Sequence, residues 1–235
     1  MVVLATKLYV GGTARDRAID SLRSLIENDI GGVDVEWSVG VRSDGFPSVT
    51  IDGPDAVIAR NVLSDQWGTI TPSFESGEEY VGTLTAWDDD GLTLDVGDSV
   101  SADPALSIDA DGTVRIPTDQ LGLGPGTATE IRTRFGLVQH LPLRFVPGDP
   151  PRLADSERDR LYEWTRGTGR VNVNSATRAE VRATVNRAGH ADDIVTIERL
   201  GLLEQSIVCR EQTDPPGLLA AIGRHLPAEL LCVLP

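Results

Sequence analysis

The sequence predicts a mixed α+β fold made of three small domains. Near both ends of the chain, apolar runs of strand length alternate with segments of helical spacing in the order β-α-β-β-α. The middle of the chain instead contains short strand-like runs separated by glycine and proline turns. From this change of texture we expect domains at residues 1–75, 76–150 and 151–235.

The first domain is predicted to hold two helices and at least three strands. Residues 2–10 form an apolar run of strand type, and a helix with apolar side chains at helical spacing follows it. Residues 33–41 and 46–51 have strand character and flank a Ser-Asp-Gly turn. A second amphipathic helix comes after the last strand.

The middle domain is predicted to be a small β-barrel. Its strand-like runs lie at 80–86, 92–96, 114–117 and 141–146, with a short helix at 129–135. The sequence Asp88-Asp89-Asp90-Gly91 favours a hairpin turn between the first two runs. Residues 99–111 are expected to form a loop insertion, and the glycine and proline residues at 148–151 indicate a linker.

Several of these runs carry a resemblance to a known fold. They are Tyr80-Val81-Gly82-Thr83-Leu84, Asp90-Gly91-Leu92, Val114-Arg115-Ile116-Pro117 and Gln120-Leu121. Together they resemble the S1-type oligonucleotide-binding barrel, which implies contact with a nucleic acid. Working S1 domains show aromatic and basic side chains on the binding face, whereas this segment is rich in carboxylates. An acidic docking module is therefore an equal expectation for this domain.

The last domain is predicted to follow the β-α-β-β-α-β order of the ferredoxin-like (split βαβ) plan. After a helix at 155–165, its strands are expected at 170–174, 194–199, 204–210 and 229–234. Thr177 and Glu180 are spaced as in a capping box and open its first helix, and Pro215 opens the second. Because the first domain shows nearly the same order, we expect two ferredoxin-like α+β domains flanking a small S1/OB-like β-barrel.

The charge of the chain is distributed unevenly. The formal net charge is −15, of which residues 1–150 carry −14 and residues 151–235 only −1. Lys7 is the one lysine beside twenty arginines, and aspartates outnumber glutamates by 23 to 13. This balance resembles that of halophilic proteins, which keep their surfaces hydrated in concentrated salt with short carboxylates.

One window reverses the acidity. Residues 164–189 contain five arginines and a single carboxylate, a local charge of +4. Guanidinium groups mixed with amides suit contacts to phosphates and sugar edges, so an RNA-facing surface is predicted here. The predicted RNA-binding residues are Arg166, Arg170, Asn172, Asn174, Arg178, Arg182 and Asn186.

The helix after Thr177 determines how these residues are arranged. At 100° per residue, Arg178, Arg182 and Asn186 share one face, without a carboxylate on that face. A phosphate backbone would neutralise the two arginines, and the alternative is salt bridges to carboxylates of the barrel domain. The central strands of this domain offer no aromatic side chain, so the sequence favours recognition of the RNA backbone over base stacking.

No pattern in the sequence specifies a reaction, a cofactor or a metal. The Asp88-Asp89-Asp90 turn lacks the alternating ligand spacing of a calcium loop. Cys209 and Cys232 are too few and too far apart for a zinc site, and we expect buried structural thiols. The three histidines are isolated, and no nucleophile elbow is present.

Five stretches spread along the chain carry a resemblance to a known family: 5–10, 135–142, 161–167, 171–178 and 187–190, which read ATKLYV, FGLVQHLP, LYEWTRG, VNVNSATR and RAGH. Through them the whole chain resembles an archaeal family that is defined as domain of unknown function 2110, in its haloarchaeal form. The resemblance implies an archaeal origin and assigns neither an activity nor site residues.

Three functions remain open at this point. The leading prediction is a non-catalytic, cytoplasmic RNA-binding accessory factor of translation or transcription. Its expected partners are ribosomal or messenger RNA, with the ribosome or RNA polymerase, and neither a leader peptide nor a membrane segment is expected. The first alternative is a module whose acidic domains dock on a basic protein. The second is an enzyme for a small anionic substrate held by the same arginines around His190.

Overall fold

The computed structural model describes residues 1–98 and 103–235. It confirms a mixed α+β fold, with three antiparallel sheets and six α-helices in the described part of the chain. The first four residues of the predicted loop insertion at 99–111, residues 99–102, lie outside the described residues. Within the described ranges, every helix is too short or too polar to cross a lipid bilayer.

The N-terminal sheet has three antiparallel strands in the order β1-β3-β2. The elements of this part are β1 (Val2–Val3), α1 (Gly12–Ile30), β2 (Glu36–Val41), β3 (Pro47–Asp52) and α2 (Ala56–Trp67). The two helices bury Leu22, Ile26 and Leu63 completely in one apolar cluster with the sheet. Burial of one apolar face therefore holds both helices on the sheet.

Only the start of the apolar run at 2–10 is a strand. Val2–Val3 pairs with β3, and Leu4 makes one further bridge. The following residues leave the sheet and bring Tyr9 to the C-terminal domain, where its hydroxyl donates a hydrogen bond to Glu204. The run is apolar because it enters a junction between domains rather than because it is one long strand.

The middle of the chain forms a five-stranded antiparallel sheet that curls into a half-barrel, with the strand order β6-β5-β4-β7-β8. Its elements are β4 (Tyr80–Asp88), β5 (Gly91–Asp95), β6 (Thr113–Pro117), α3 (Ala128–Arg134), β7 (Pro142–Val146) and β8 (Arg152–Leu153). The predicted hairpin turn is confirmed, because the Asp88 carboxylate accepts hydrogen bonds from the amides of Asp90 and Gly91. Helix α4 (Asp155–Trp164) buries Leu161 and Trp164 in the half-barrel core.

The C-terminal domain has a four-stranded antiparallel sheet in the order β10-β11-β9-β12. Its elements follow the predicted sequence and are β9 (Arg170–Val173), α5 (Arg178–Arg187), β10 (Ile194–Arg199), β11 (Gln205–Cys209), α6 (Pro215–Gly223) and β12 (Leu230–Val233). The predicted capping box is present: Thr177 and Glu180 each accept a hydrogen bond from the other's backbone amide. This reciprocal pair fixes where α5 begins.

A buried polar cluster joins the three domains. The Tyr9 hydroxyl donates to Glu204 Oε1 over 2.7 Å and accepts from the backbone amide of Ser175 over 2.8 Å. The Tyr9 ring stacks on the His140 ring of the half-barrel, with 3.7 Å between the ring centroids. Since Glu204 is fully buried, residues from all three domains meet around one carboxyl group.

Burial shifts the pKa values of two groups in this junction. It raises the pKa of Glu204 to about 8, although hydrogen bonds from Tyr9 and from the Leu203 amide act in the opposite direction. Burial also lowers the pKa of His140 to about 4, with the positive charge of Lys7 acting in the same direction. Near neutral pH the junction therefore contains a protonated carboxyl group and a neutral imidazole.

The raised pKa of Glu204 predicts a pH dependence of stability. Between pH 4.5 and about 8, the folded protein keeps a proton that the unfolded chain releases. The free energy of unfolding therefore falls as pH rises through this window, by up to about 1.4 kcal/mol per pH unit. Glu204→Gln removes this contribution while keeping an acceptor for Tyr9. Urea unfolding at a series of pH values should show a steeper fall for the wild type than for the variant.

The comparison between the two proteins isolates Glu204 from His140. The lowered pKa of His140 makes stability rise with pH between about 4 and 6.5, and this contribution is present in both proteins. Parallel pH profiles for the wild type and Glu204→Gln would show that the carboxyl group is already ionised in the folded protein.

Candidate anion-binding site

Helix α5 presents two arginines and an asparagine on its exposed face. Arg178, Arg182 and Asn186 follow one another four residues apart and are exposed, whereas Val181 and Val185 are fully buried. Among the described residues, no carboxylate oxygen lies within 4.0 Å of either arginine. Within the part of the half-barrel that the structure describes, neither arginine makes the salt bridge that the alternative interpretation expects.

Two of the predicted site residues lie in the interior. Asn172 is fully buried, and its amide donates to the Gly136 carbonyl over 2.9 Å. Asn174 is 4 % exposed; its amide donates to the Gln139 carbonyl, and its oxygen accepts from the Glu229 amide. Both side chains bridge the C-terminal sheet to the half-barrel, so a contact with sugar or base edges would require this interface to open.

Gly136 allows the segment after α3 to approach strand β9 closely. Gly136 has a φ of +63°, and a Cβ there would lie 2.7 Å from a methyl group of Val233 and 2.9 Å from the Asn172 amide nitrogen. Only glycine fits both the backbone conformation and the space. The segment after α3 can therefore lie directly on β9.

Arg170 and Arg166 have different surroundings. Arg170 is mostly buried; it forms an ion pair with Glu198, and its Nη1 lies 3.4 Å from the Ser206 hydroxyl. Arg166 is exposed in the turn that follows α4, and among the described residues no carboxylate lies within 4.0 Å of it. Arg170 is thus held in place, whereas Arg166 is free to contact a ligand.

A cavity of about 510 Å³ brings two of the predicted arginines together with two others. It lies between the end of α4, strand β10 and the beginning of α5. Its lining residues are Arg160, Glu163, Trp164, Arg170, Arg178, Thr196, Ile197, Glu198, Arg199 and Leu200. Four guanidinium groups face two carboxylates here, which makes the lining positively charged within an acidic protein. Arg166, Arg182 and Asn186 lie outside this lining.

The two arginines that have carboxylate partners both lie near the Trp164 ring. The guanidinium carbons of Arg160 and Arg170 lie 5.1 and 5.4 Å from the centroid of its ring. Arg160 forms an ion pair with the fully buried Glu157, as Arg170 does with Glu198. The ring and the carboxylates hold both guanidinium groups in position and neutralise much of their charge.

Arg199 is different, because no carboxylate oxygen of the described residues lies within 4.0 Å of its guanidinium group. Its guanidinium carbon lies 4.0 Å from the centroid of the Trp67 ring in α2, and its Nη1 atom is buried without a hydrogen-bond partner. Burial lowers the pKa of Arg199; the carboxylate of Asp29 acts in the opposite direction, and the positive charge of Arg178 adds to the lowering. Arg178 and Arg199 thus line the same cavity and are near enough for their positive charges to act on each other.

Sequence patterns identified only part of this cavity. Arg160 lies outside the arginine-rich window, and its spacing of three residues from Glu157 is typical of an ordinary surface pair on a helix. Arg199 ends a strand and carries no local signal at all, since its aromatic partner, Trp67, comes from another domain. Only the folded chain shows that these residues meet Arg170 and Arg178.

The cysteines and the histidine singled out in the sequence lie outside the lining of this cavity. No group of three or more metal-ligating side chains occurs within residues 1–98 and 103–235. Cys209 and Cys232 are free thiols, and burial raises the pKa of both to about 11, so they are protonated at neutral pH. The His190 ring pairs with Asp193 through Nδ1, away from the cavity lining.

The burial of Asn172 predicts a structural role that can be measured. Asn172→Ala leaves the Gly136 carbonyl without its donor and opens a small space between β9 and the half-barrel. We expect a loss of about 1–3 kcal/mol in the free energy of unfolding, measured with urea. The matched control is Asn186→Ala on the exposed face, which should change stability by less than about 0.5 kcal/mol. Equal effects at the two positions would contradict the buried bridge.

Comparison with known families covers nearly the whole chain. The DUF2110 N-terminal domain matches residues 1–73, the DUF2110 central domain matches 74–108 and 102–165, and the DUF2110 C-terminal domain matches 168–234. No curated protein matches the sequence. The three domain matches follow one another in the order of the three sheets. The chain belongs to the DUF2110 family.

Proposed function

We propose that this protein is a non-catalytic RNA-binding accessory factor of translation or transcription. It contacts the RNA backbone through the exposed arginine surface, which consists of Arg166, Arg178 and Arg182 with Asn186 beside them. The RNA is ribosomal or messenger RNA, presented by the ribosome or RNA polymerase. Arg170 contributes from inside the neighbouring cavity, while the buried Asn172 and Asn174 hold the surface in place.

The observation that carries this proposal is the pair of exposed, unpaired arginines on α5. Arg178 and Arg182 are four residues apart, and in the described residues neither has a carboxylate within 4.0 Å. Like charges at this spacing destabilise a helix by a few tenths of a kcal/mol. A chain of phosphates neutralises both, and Arg178 extends the positive surface into the cavity.

Burial of the sheet supports recognition by helix and loop rather than by base stacking. Strands β9 and β11 are buried at nearly every position. Helices α5 and α6 cover one face, and Asn172 contacts the half-barrel from β9. No open aromatic platform is available on these strands, so the RNA is recognised by its backbone and shape.

The finer architecture and origin belong to the same proposal. The strand order and antiparallel pairing of the C-terminal sheet are consistent with a ferredoxin-like plan, and the bridge from Leu4 to Thr69 extends the N-terminal sheet in the same sense. The curled five-stranded sheet is consistent with an S1/OB-like barrel. The excess of aspartate and the near absence of lysine support a haloarchaeal, cytoplasmic protein.

The proposal predicts the effect of removing the two helix charges. The double variant Arg178→Gln/Arg182→Gln should bind a labelled single-stranded RNA about tenfold or more weakly than the wild type, measured by fluorescence anisotropy over a series of KCl concentrations. The slope of log affinity against log salt should become shallower by about 1.4, since two contacts to a single strand are lost.

A charge-matched variant provides the control. Arg187→Gln/Arg224→Gln removes two exposed arginines that lie away from this surface, and it should retain the affinity and the salt slope. An unchanged RNA affinity in the α5 double variant would contradict the assignment of Arg178 and Arg182 to the RNA-binding surface. The acidic docking module would be favoured by two results together. The wild type would bind no RNA, and its association with protein partners from a lysate would survive nuclease treatment.

A further inference from the structure

The cavity beside the arginine surface is open to solvent and large enough for one small ligand. Its volume of about 510 Å³ lies within the range of pockets that hold one small molecule or one nucleotide unit. Its walls come from four elements, since Arg160 lies on α4, Arg170 on β9, Arg178 on α5 and Arg199 at the end of β10. Side chains from separate rigid elements can surround a single group.

The unneutralised charge in this cavity matches a doubly charged anion. Arg160 and Arg170 are paired with carboxylates, whereas Arg178 and Arg199 have no carboxylate within 4.0 Å among the described residues. Two guanidinium groups without a carboxylate partner can together contact one phosphate group, and a terminal phosphate monoester carries a charge of about −2 near neutral pH. A phosphodiester inside an RNA strand carries a single negative charge and offers fewer free oxygens to the two groups.

Arg199 carries positive charge into the cavity and has a buried donor. Among the described residues, its Nη1 atom has no hydrogen-bond partner, and a buried donor without a partner costs free energy. Its guanidinium carbon lies 4.0 Å from the centroid of the Trp67 ring, which limits how the group can move. Arg199 lines the cavity together with Arg178, so a phosphate bound there would offset the repulsion between the two guanidinium groups.

The carboxylates of the lining indicate what the phosphate is attached to. Glu163 is exposed at the end of α4 and, in the described chain, has no cation within 4.0 Å. A carboxylate beside an anion site is unfavourable unless it accepts hydrogen bonds from the same ligand. Ribose hydroxyls are such donors, so the combination of guanidinium groups and carboxylates fits a phosphorylated sugar better than a bare phosphate.

We propose that the cavity between α4, α5 and β10 binds a terminal phosphate monoester of ribose. Arg178 and Arg199 contact the phosphate, and Glu163 accepts from the ribose hydroxyls. The inference rests on the proposed RNA-binding function, with the phosphate at one end of an RNA strand. The same chemistry occurs in a free nucleoside monophosphate.

The test compares one short single-stranded RNA in three forms, with a 5′-phosphate, with a 3′-phosphate and with hydroxyls at both ends. We expect the wild type to bind one phosphorylated form about tenfold or more tightly than the hydroxyl form. Arg199→Gln should abolish this difference, as should Arg178→Gln if the first variant folds poorly. Circular dichroism and thermal unfolding establish that each variant is folded. Equal affinity of the wild type for all three forms, with no Arg199-dependent binding of adenosine monophosphate, would overturn the inference.

The control variant is Arg166→Gln, since Arg166 belongs to the arginine surface but not to the cavity lining. This variant should lower the affinity for all three RNA forms by a similar factor and leave the ratios between these affinities unchanged. Adenosine monophosphate as a competitor separates the two sources of the ligand. Competition at the affinity of the phosphorylated RNA identifies a free nucleotide, and competition only at much higher concentration identifies an RNA end.

The two proposals fail in different ways. Suppose that Arg178→Gln/Arg182→Gln weakens binding of the RNA with hydroxyl ends, while the wild type binds the phosphorylated forms no more tightly than this RNA. The cavity assignment is then wrong and the RNA-binding function stands. If no RNA binds but adenosine monophosphate binds in an Arg199-dependent manner, the cavity assignment stands and the proposed function is wrong.

Discussion

The hydrogen bond between the Tyr9 hydroxyl and the Glu204 carboxyl group lies at the point where all three domains meet. Tyr9 comes from the N-terminal domain, Glu204 and Ser175 from the C-terminal domain, and His140, which stacks on Tyr9, from the half-barrel. A polar group that is fully buried must be satisfied by specific partners, and each partner here comes from a different part of the chain. The contact therefore fixes the relative positions of the domains in a way that apolar packing alone would specify less sharply.

This junction also positions the cavity. Glu204 lies five residues after Arg199, on the far side of the turn that joins β10 to β11. The same turn is anchored to the N-terminal domain, because the Leu202 amide donates to the Thr6 hydroxyl over 2.9 Å. With the turn held at both points, the guanidinium group of Arg199 lies on the Trp67 ring of that domain. The arrangement of arginines is thus a property of the assembled domains rather than of the C-terminal sheet alone.

The elements of the C-terminal domain could be predicted well because their signals are local. The capping box at Thr177 and the apolar spacing of Val181 and Val185 depend on neighbours within one helix. The burial of Asn172 could not be predicted in this way, because the half-barrel that covers it is distant in sequence. An asparagine on a strand is usually exposed, and only the approach of Gly136 turns this one into an interior bridge.

The same reasoning separates the two halves of the candidate site. The exposed surface of α5 follows from helical geometry, so Arg178, Arg182 and Asn186 could be grouped from the sequence. The arginines of the cavity could not be grouped from the sequence, because Arg160 and Arg199 come from α4 and β10. They are positioned by contacts with Glu157 and Trp67. Three stretches that carry the family resemblance, at 5–10, 135–142 and 171–178, meet at the junction rather than at the cavity.

The acidity of residues 1–150 determines how an anion can approach this surface. A net charge of −14 on the first two sheets repels a phosphate chain at long range, while the arginines attract it only near α5 and the cavity. In molar salt the Debye length is about 3 Å, so the repulsion is screened while guanidinium–phosphate hydrogen bonds at contact distance persist. Salt then weakens both the attraction and the opposing repulsion, and the total salt dependence of binding is smaller than the number of phosphate contacts alone would give. The arrangement suits an arginine-based site in which geometry, rather than long-range steering, selects the ligand.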